Sequence, residues 1–561
     1  MREPVRTEVL IVGAGPVGLT LGLDLARRGV RVVLAELRER AEPPNVKCNH
    51  ISARSMEIFR RLGVAAKLRD AGLPEDFPHD VVYRTTFAGT EIARIPIPAR
   101  KDRFTARGGP DTEWPTAEPP HRINQLYMEP ILFAHAQATQ GLTLLNRMRI
   151  DAFTQDADGV RATGTDLDTQ ERVHFECEYL IGCDGGRSAI RRAIGAKLQG
   201  TDVVARVQST YIRAPGLPAV EGSGPAWGAI LLNPRRSGVV FAIDGRETWL
   251  LHNYLRDDEP EFDSVDRDWA IRQMLGVGPD FQYEVISKED WFGRRLVADR
   301  FRDRRAFICG DASHIWIPMA GYGMNAGIAD AANLAWLLAG RIKGWAAEAA
   351  LDAYEAERQP ITDQVSRFAM DHAVAMNKHR TQVPPDIEDD TPEGRKTREA
   401  LGRRLYDLNV KQYCCGGLNF GYFYDRSPLI AYDGEAQPAY DMDQFVVSTV
   451  PGCRTPHFWL ADGRSVYDAM GDDHAVLRFD PSVDVQPLVD AARSVGMPLR
   501  VVDVPRGDMP PAYRHALLLS RPDQHVAWRG DALPPDAGAL TDLVRGAGAG
   551  FRSLTRKQID A

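Results

Sequence analysis

Val9 to Val12 is an unbroken aliphatic run, of the kind buried on both faces of a parallel sheet. Leu19, Leu23 and Ala26 then recur at helical spacing, Gly29 stands where a left-handed helix cap belongs, and Val30 to Ala35 is a second apolar run ending at Glu36. The pattern predicts strand, tight turn, helix, strand. A short strand returns at Tyr179 and ends in Asp184-Gly185, ahead of a helix carrying Arg191 and Arg192. A third spans Ala306 to Cys309 and is followed by Asp311, by a loop with little side-chain bulk over Ala320 to Gly323, and by a helix. Met324, Ile328, Ala331, Ala335 and Leu338 form one face of that helix.

Period-2 alternation rises from about Asp80 to Pro120 and again from Val203 to Arg295, as in VVFAID (Val239 to Asp244) and TWLLHNYL (Thr248 to Leu255). An antiparallel sheet follows from it. Trp227, Phe241, His252, Tyr254 and Trp291 fall in that region as pocket candidates, although each taken singly reads as core. Lys378 to Arg395 is charged and carries prolines, and reads as an exposed excursion or linker. After about Asp441 the order is strand (Ala475 to Phe479), helix, strand (Leu499 to Val504), hairpin (Ala516 to Ser520 with His525 to Trp528) and helix. That order suits a thioredoxin-like fold, without the CxxC of a dithiol module.

The expectation is therefore an α/β protein with a discontinuous Rossmann-like dinucleotide-binding domain over residues 1–80, 121–200 and 296–375. A substrate-binding β-sheet domain would take 81–120 and 201–295, a helical or linker excursion 376–440, and a thioredoxin-like domain 441–561. At 561 residues the chain is long enough for all of these.

Charge narrows the partners. Lys plus Arg number 69 against 77 Asp plus Glu, a net charge of -8 that gives no basic excess to recruit a polyanion. Nucleic acid is not expected as a partner. The longest apolar stretches are too short or too interrupted by glycine to span a bilayer, and Met1 to Glu8 lacks a signal-peptide pattern. Seven cysteines are an odd number and too few for a disulfide framework, which fits a reducing cytoplasm; no zinc or other metal set stands out among them.

Gly13, Gly15 and Gly18 supply G-x-G-x-x-G directly after the first strand. The first permits a sharp turn, the second lets backbone N–H groups approach a pyrophosphate, and the third lets helix and strand pack closely. Glu36 ends the next strand, where a carboxylate can accept from an adenosine ribose and would repel a 2′-phosphate, which leaves NAD and FAD. The helix after Gly323 would present free N–H groups and partial positive charge to whatever lies above the bare loop, and an electron-rich ring suits it better than a second phosphate.

Taken together, the three stretches resemble the class A flavoprotein aromatic monooxygenases, built like para-hydroxybenzoate hydroxylase. SARSMEIFRRLG (Ser52 to Gly63), NQLYMEPIL (Asn124 to Leu132), PGCRTPHFWL (Pro451 to Leu460) and RPDQHVAWRG (Arg521 to Gly530) are similar to the phenol-hydroxylating branch containing 2,4-dichlorophenol 6-monooxygenase and 2-hydroxybiphenyl 3-monooxygenase. The resemblance implies FAD, with Gly13, Gly15 and Gly18 at its pyrophosphate, Glu36 at the adenosine ribose, Lys47 near the pyrophosphate and Gln125 at the sugar-phosphate tail. It implies Asp184 as a contact of FAD and the nicotinamide, and Asp311 at the ribityl chain. The amides around Gly323, Met324 and Asn325 would face the pyrimidine edge, and Pro318 would lie beside flavin C4a. NADPH or NADH would be the reductant, docking transiently, and O2 the oxidant, through a C4a-hydroperoxyflavin.

The resemblance implies hydroxylation of a phenolic or hydroxylated heteroaromatic ring such as a hydroxypyridine. The alternatives are hydroxylation or oxygen insertion on a larger polyketide-type scaffold, and a non-oxygenating flavin dehydrogenase. The partners expected are a small aromatic substrate and further copies of the chain. Relatives of the phenol-hydroxylating branch carry a histidine base where this chain has Asn49, with His50 beside it. His50 is one candidate base, since a near-neutral pKa suits the task; a substrate that ionises unaided is the other solution. His314 reads as a loop histidine bonded to local backbone.

Overall fold

The computed structural model describes residues 3–548 apart from 41, 45, 319 and 320. Ala320, the first residue of the bare loop, lies outside the described residues. The first apolar run forms the strand Val9–Val12 in a six-stranded sheet, with Tyr179–Gly182 on one side and Val32–Ala35 on the other, both parallel to it. Ala306–Ile308 lies parallel beyond Tyr179–Gly182, and Leu142–Leu145 beyond Val32–Ala35. The register sets Val12 opposite Gly182 and Gly182 opposite Ile308. Three motifs scattered over 300 residues of sequence thus end at one edge of one sheet, as open parallel sheets do where they bind ligands.

The turn after Val12 leads into the helix Pro16–Arg27, whose Leu19, Leu23 and Ala26 are buried. Gly29 follows it with φ +73°, the left-handed stop that the sequence predicts. The helix Tyr322–Ile342 packs against Pro16–Arg27 and is buried along most of its length. Its Gly327 is required by that contact, because a Cβ there would lie 3.0 Å from the Gly310 Cα and 2.7 Å from a Val17 methyl.

The alternating region forms a nine-stranded sheet. Its pairings are antiparallel except that Gly228–Leu231 runs parallel to Val81–Arg84. Residues 100–120 add no strand; they hold a single 3₁₀ turn at Arg100–Asp102 and otherwise loop. The short strand His314–Trp316, directly after Asp311, pairs antiparallel with Trp291–Ala298 and so belongs to this second sheet. The two sheets are therefore stitched together at the loop between them.

The expected excursion is folded. A helix Asp352–Thr381 and a second, Pro392–Tyr413, are joined by a mostly exposed ten-residue loop whose Ile387 is buried. Apart from Arg380, which turns inward, the charged residues of Lys378 to Arg395 lie in the loop or at the two helix ends, so reading that stretch as a linker holds only for the loop itself.

Near the C-terminus, His474–Arg478 pairs parallel with Leu499–Asp503 and antiparallel with Leu517–Ser520, which pairs antiparallel with Val526–Gly530. The helices Gln486–Ser494 and Ala537–Val544 complete the unit. Buried ion pairs bind it to the rest. Arg521 donates to Glu357 at 2.6 Å and to Asp523 at 2.7 Å with no side chain more than 3% exposed, and Asn333 donates to both carboxylates. Arg454 and Arg54 close on Glu57 in the same buried manner. Removing one member of such a set leaves an uncompensated buried charge. Among the described residues no helix is long and apolar enough to cross a membrane.

Candidate active site

A cleft of about 520 Å³ opens where the parallel sheet edge meets the face of the nine-stranded sheet. Gly15, Pro16, Val17, Lys47, Gln125, Asp311, Pro318, Gly323 and Met324 all line it. The glycines of the first turn divide their work as the sequence predicts. Gly13 has φ +105° and a Cβ there would sit 2.3 Å from the Cys183 carbonyl oxygen; one at Gly18 would sit 1.9 Å from the Gly13 oxygen. Gly15 has open space on its Cβ side and caps the helix Pro16–Arg27 without any side chain. A helix N-terminus so bared is a ready anion site.

Glu36 accepts from the Ala14 N–H at 2.6 Å and from the Arg38 N–H at 3.0 Å, and pairs with the Arg38 guanidinium at 3.1 Å. Burial raises its pKa, but the Arg38 and Ala14 donors outweigh it and hold the carboxyl below its usual value. It stays ionised, as an acceptor beside the turn must. The helix Tyr322–Ile342 starts from Gly321 in the left-handed region with no side-chain cap, and among the described residues a Cβ at Gly323 would meet nothing nearer than the Trp316 indole nitrogen at 3.7 Å. Two uncapped helix N-termini face one cleft. That arrangement fits a dinucleotide with a flat ring at its other end, the form expected of FAD.

Three of the expected contact residues have side chains engaged within the chain. Asp184 does not line the cleft; its Oδ2 accepts from the Ala189 N–H at 2.6 Å and the Ile190 N–H at 3.2 Å, while its neighbours Cys183 and Gly185 form the wall. The Asn325 side chain is turned away from the cleft, while the expectation concerned its backbone amide. That side chain accepts from the Ser52 N–H and donates to the carbonyls of His50 and Gly321, locking the loop 48–52 to the helix start. Lys47 lines the cleft and pairs with Glu289, between the strands Glu284–Lys288 and Trp291–Ala298, at 3.0 Å.

His50 is buried, and its Nδ1 is held by the Arg122 guanidinium. Arginine has no acceptor, so Nδ1 must accept and the remaining proton of a neutral ring stands on Nε2. Burial, with the positive charges of Arg122 and Arg103, holds the pKa well below its usual value. A ring with its proton already on the free nitrogen, and little basicity, is a donor and not a base. The sequence-based candidacy of His50 fails on that geometry. Asn49 accepts from the Asn124 amide, on the loop that the Asn124 side chain also fastens through Lys47 O.

The substrate half is walled by rings. Trp227, Phe241, His252 and Trp291 form a row with successive centroid spacings of 5.0, 6.0 and 5.8 Å, and Tyr254 lies beside it. All five residues that read as core when taken singly line the cleft. Burial, with Arg380 nearby, pushes the pKa of His252 down to about 4, so it is neutral. The two helices of the supposed linker supply the opposite wall through Met376, Arg380, Asn409, Gln412 and Tyr413. No local pattern pointed to Arg122, Arg380 or Tyr413, because their meeting depends on helices packing from a distant part of the chain.

His314 also departs from expectation. Its Nε2 lies 2.7 Å from Asp330, which Arg358 holds at 2.7 Å, so its partner is a buried carboxylate and not local backbone. It stacks on Trp316 at 4.6 Å, and Trp316 in turn lines the cleft with its indole N–H unpartnered.

Comparison with known proteins agrees with this geometry. Residues 6–369 match the family described as FAD binding domain, and residues 448–547 match the one described as aromatic-ring hydroxylase, C-terminal. The chain is 30% identical to tetracenomycin B2 monooxygenase-dioxygenase of Streptomyces olivaceus over 97% of its own length and 98% of the relative's. It is 28% identical to phenol 2-monooxygenase of Pseudomonas sp. (strain EST1001), over 97% and 93%. Among solved structures it is similar to RebC soaked with chromopyrrolic acid and holding 7-carboxy-K252c, with a TM-score of 0.87 at 34% identity, covering 97% of this chain and 100% of that one.

Proposed function

The chain belongs to the FAD-dependent aromatic-ring monooxygenases, and from that premise we propose that it hydroxylates a flat phenol-type ring system at the expense of NAD(P)H and O2. The observation that carries this reading is the single cleft in which a bare helix N-terminus meets a wall of aromatic side chains. Bound FAD, reduced by a nicotinamide, supplies the electrophilic oxygen from O2. The chain's own residues do the rest. The N-terminus at Gly321 to Met324 is aimed to stabilise negative charge on the ring it faces. Trp227, Phe241, Trp291 and Trp316 hold the substrate ring and keep water away. The His50–Arg122 pair fixes the floor between the two halves.

A multi-ring substrate is favoured over a single phenol, since a row of four rings spaced 5.0 to 6.0 Å apart is longer than one benzene ring. The named specificities of the tetracenomycin relative and the ligand of RebC support that choice, and the phenol relative supports the smaller class. The strand order near the C-terminus supports a thioredoxin-like domain, whose buried ion pairs give it a bracing role beside the Rossmann-like FAD domain.

The test is NAD(P)H oxidation by the FAD-loaded protein across phenols, hydroxypyridines and polycyclic phenols, with mass detection of products formed under isotopically labelled O2. Stimulated oxidation with one labelled oxygen in the product is expected. No stimulation by any member of the panel would overturn the proposal.

A further inference from the structure

Cys183 and Cys309 stand side by side at the ends of neighbouring strands. The parallel register that sets Gly182 opposite Ile308 brings these two opposite each other one residue on, and the Cys309 N–H donates to the Gly182 carbonyl at 3.0 Å. Equal positions in parallel strands send both side chains to one face of the sheet. It is the face that the helices cover. A Cβ at Gly18, on Pro16–Arg27, would lie 3.3 Å from that of Cys183, and the Cys309 thiol donates to the Gly327 carbonyl of Tyr322–Ile342 at 3.8 Å. Both cysteines line the cleft, in company with Gly15, Pro16, Val17 and Asp311. Neither has a part in the hydroxylation proposed above.

Neighbouring parallel strands stand about 4.8 Å apart, inside the roughly 4.4–6.8 Å that a disulfide spans between Cα atoms. The two thiols differ in access. Cys183 is partly exposed, whereas Cys309 is 1% exposed and its pKa is held well above the usual thiol value by burial and then by the Cys183 thiol beside it. Reaction with a small oxidant needs an accessible thiolate, so Cys183 meets the oxidant first. A thiol as poorly ionised as Cys309 is slow towards a free oxidant, but it is held against its neighbour and can resolve what forms there. The cleft's one other cysteine among the described residues, Cys48, is engaged elsewhere: its thiol donates to the carbonyls of His50 at 3.2 Å and Gly321 at 3.6 Å, and burial pushes its pKa up to about 11.

We propose that Cys183 and Cys309 are an oxidative modification site, open to hydrogen peroxide from the cleft and covered when FAD is held there. The Cys183 thiolate attacks one peroxide oxygen and the O–O bond breaks; a sulfenic acid forms, and the departing hydroxide takes up the thiol's proton to give water. The Cys309 sulfur then attacks the Cys183 sulfur, the S–O bond breaks, and the Cys309 proton leaves with the hydroxyl as a second water. Two thiols are oxidised by two electrons in all, and one peroxide is reduced to two waters. The bond ties Gly310–Asp311 to the turn at Asp184–Gly185, so it marks chains that lack their cofactor, and a dithiol reverses it. The inference depends neither on the substrate nor on hydroxylation.

Peptide mass mapping of the full-length protein, treated with hydrogen peroxide before and after loading with FAD and then blocked at its remaining thiols, tests this. Trypsin leaves Cys177 and Cys183 in one peptide, so fragment ions must place the bond. FAD-free protein is expected to give the Cys183–Cys309 cross-link, to lose both thiols from the titratable count and to regain them with dithiothreitol. FAD-loaded protein should form the bond at least about tenfold more slowly, since oxidation follows access. Cys309→Ser should stop at a Cys183 sulfenic acid that dimedone traps, whereas Cys183→Ser should leave Cys309 reduced. Survival of both thiols in FAD-free protein, a bond from Cys183 to any other cysteine, or equal rates with and without FAD would overturn the proposal. Should a serine variant not fold, the wild-type map still decides. Bond formation in a protein that shows no aromatic-stimulated NAD(P)H oxidation would leave this inference standing and remove the hydroxylase reading.

Discussion

Replacing His50 by glutamine distinguishes a base from a brace. The glutamine carbonyl can still accept from Arg122, so the guanidinium keeps its aim, whereas no titratable nitrogen remains. A positioned general base contributes about 10²- to 10⁴-fold, or roughly 3–5 kcal/mol, to a proton-transfer step. The structure assigns His50 none of that: Nδ1 is occupied by an arginine donor, the ring is buried, and its pKa is held well below the ordinary histidine value by burial and by Arg122 and Arg103. Each pKa unit of that depression removes about 1.4 kcal/mol of affinity for a proton. We expect His50→Gln to hydroxylate bound substrate within about tenfold of wild type, since only a bond to Arg122 has been exchanged for another. Single-turnover measurement on the reduced, substrate-loaded enzyme isolates the chemical step from cofactor reduction. A fall of 10²-fold or more at unchanged substrate affinity, together with loss of an ionisation from the pH profile, would refute the assignment of the proton to Nε2.

Three further outcomes follow from particular contacts. Gly15→Ala should fold normally, because its Cβ meets no atom of the described residues within 4 Å, yet lose FAD on purification; Gly18→Ala should lower the apoprotein melting temperature as well, because its Cβ falls 1.9 Å from the Gly13 oxygen. Flavin absorbance and thermal melting of the two apoproteins separate these effects. Arg521→Met should cost about 3–5 kcal/mol in denaturant unfolding by stranding Glu357 and Asp523, and a cost below about 1 kcal/mol would show that those carboxylates are not dry. Stability should also fall early on acidification. Burial pushes the pKa values of His121 and His474 to about 3 and those of His252 and His457 to about 4. The unfolded chain, with histidines near 6.5, then binds more protons than the folded one below about pH 6.5, so stability is full above that pH and each histidine removes about 1.4 kcal/mol per unit below it. A melting temperature constant from pH 7 to pH 5 would contradict the burial of these rings.

What could be read from the residues was what is encoded locally. The turn Gly13–Gly18, its helix, the left-handed Gly29 and the acid at Glu36 lie within one short stretch, and their spacing is dictated by backbone geometry alone. The alternation in Val239 to Tyr254 likewise told which side chains share a face. It could not tell whether that face meets packed core or an open cleft, and this is why Phe241, His252 and Tyr254 were ambiguous until the helices Asp352–Thr381 and Pro392–Tyr413 were in place above them. Arg380 was hidden for the opposite reason: it stands in a charged, proline-bearing stretch whose composition describes the outer surface of a helix end, while one arginine turns inward over Tyr254. Asp184 had the right position and the wrong direction, since its carboxylate turns back to the helix beginning at Ala189. His50 had the right residue type, and only the arginine 72 positions later decided which nitrogen carries the proton.

The pairing of His314–Trp316 with Trp291–Ala298 bears on how this scaffold can be recombined. A designer wishing to graft the specificity of another hydroxylase onto it would cut at the boundaries of the alternating region, and would then leave residues 314–316 behind. The graft would meet a foreign seam: one strand of its own sheet, and the indole that completes its wall, would still come from the recipient. Residues 314–316, with Asp330 and Arg358 behind them, must travel with the donor sheet for the exchange to be in register.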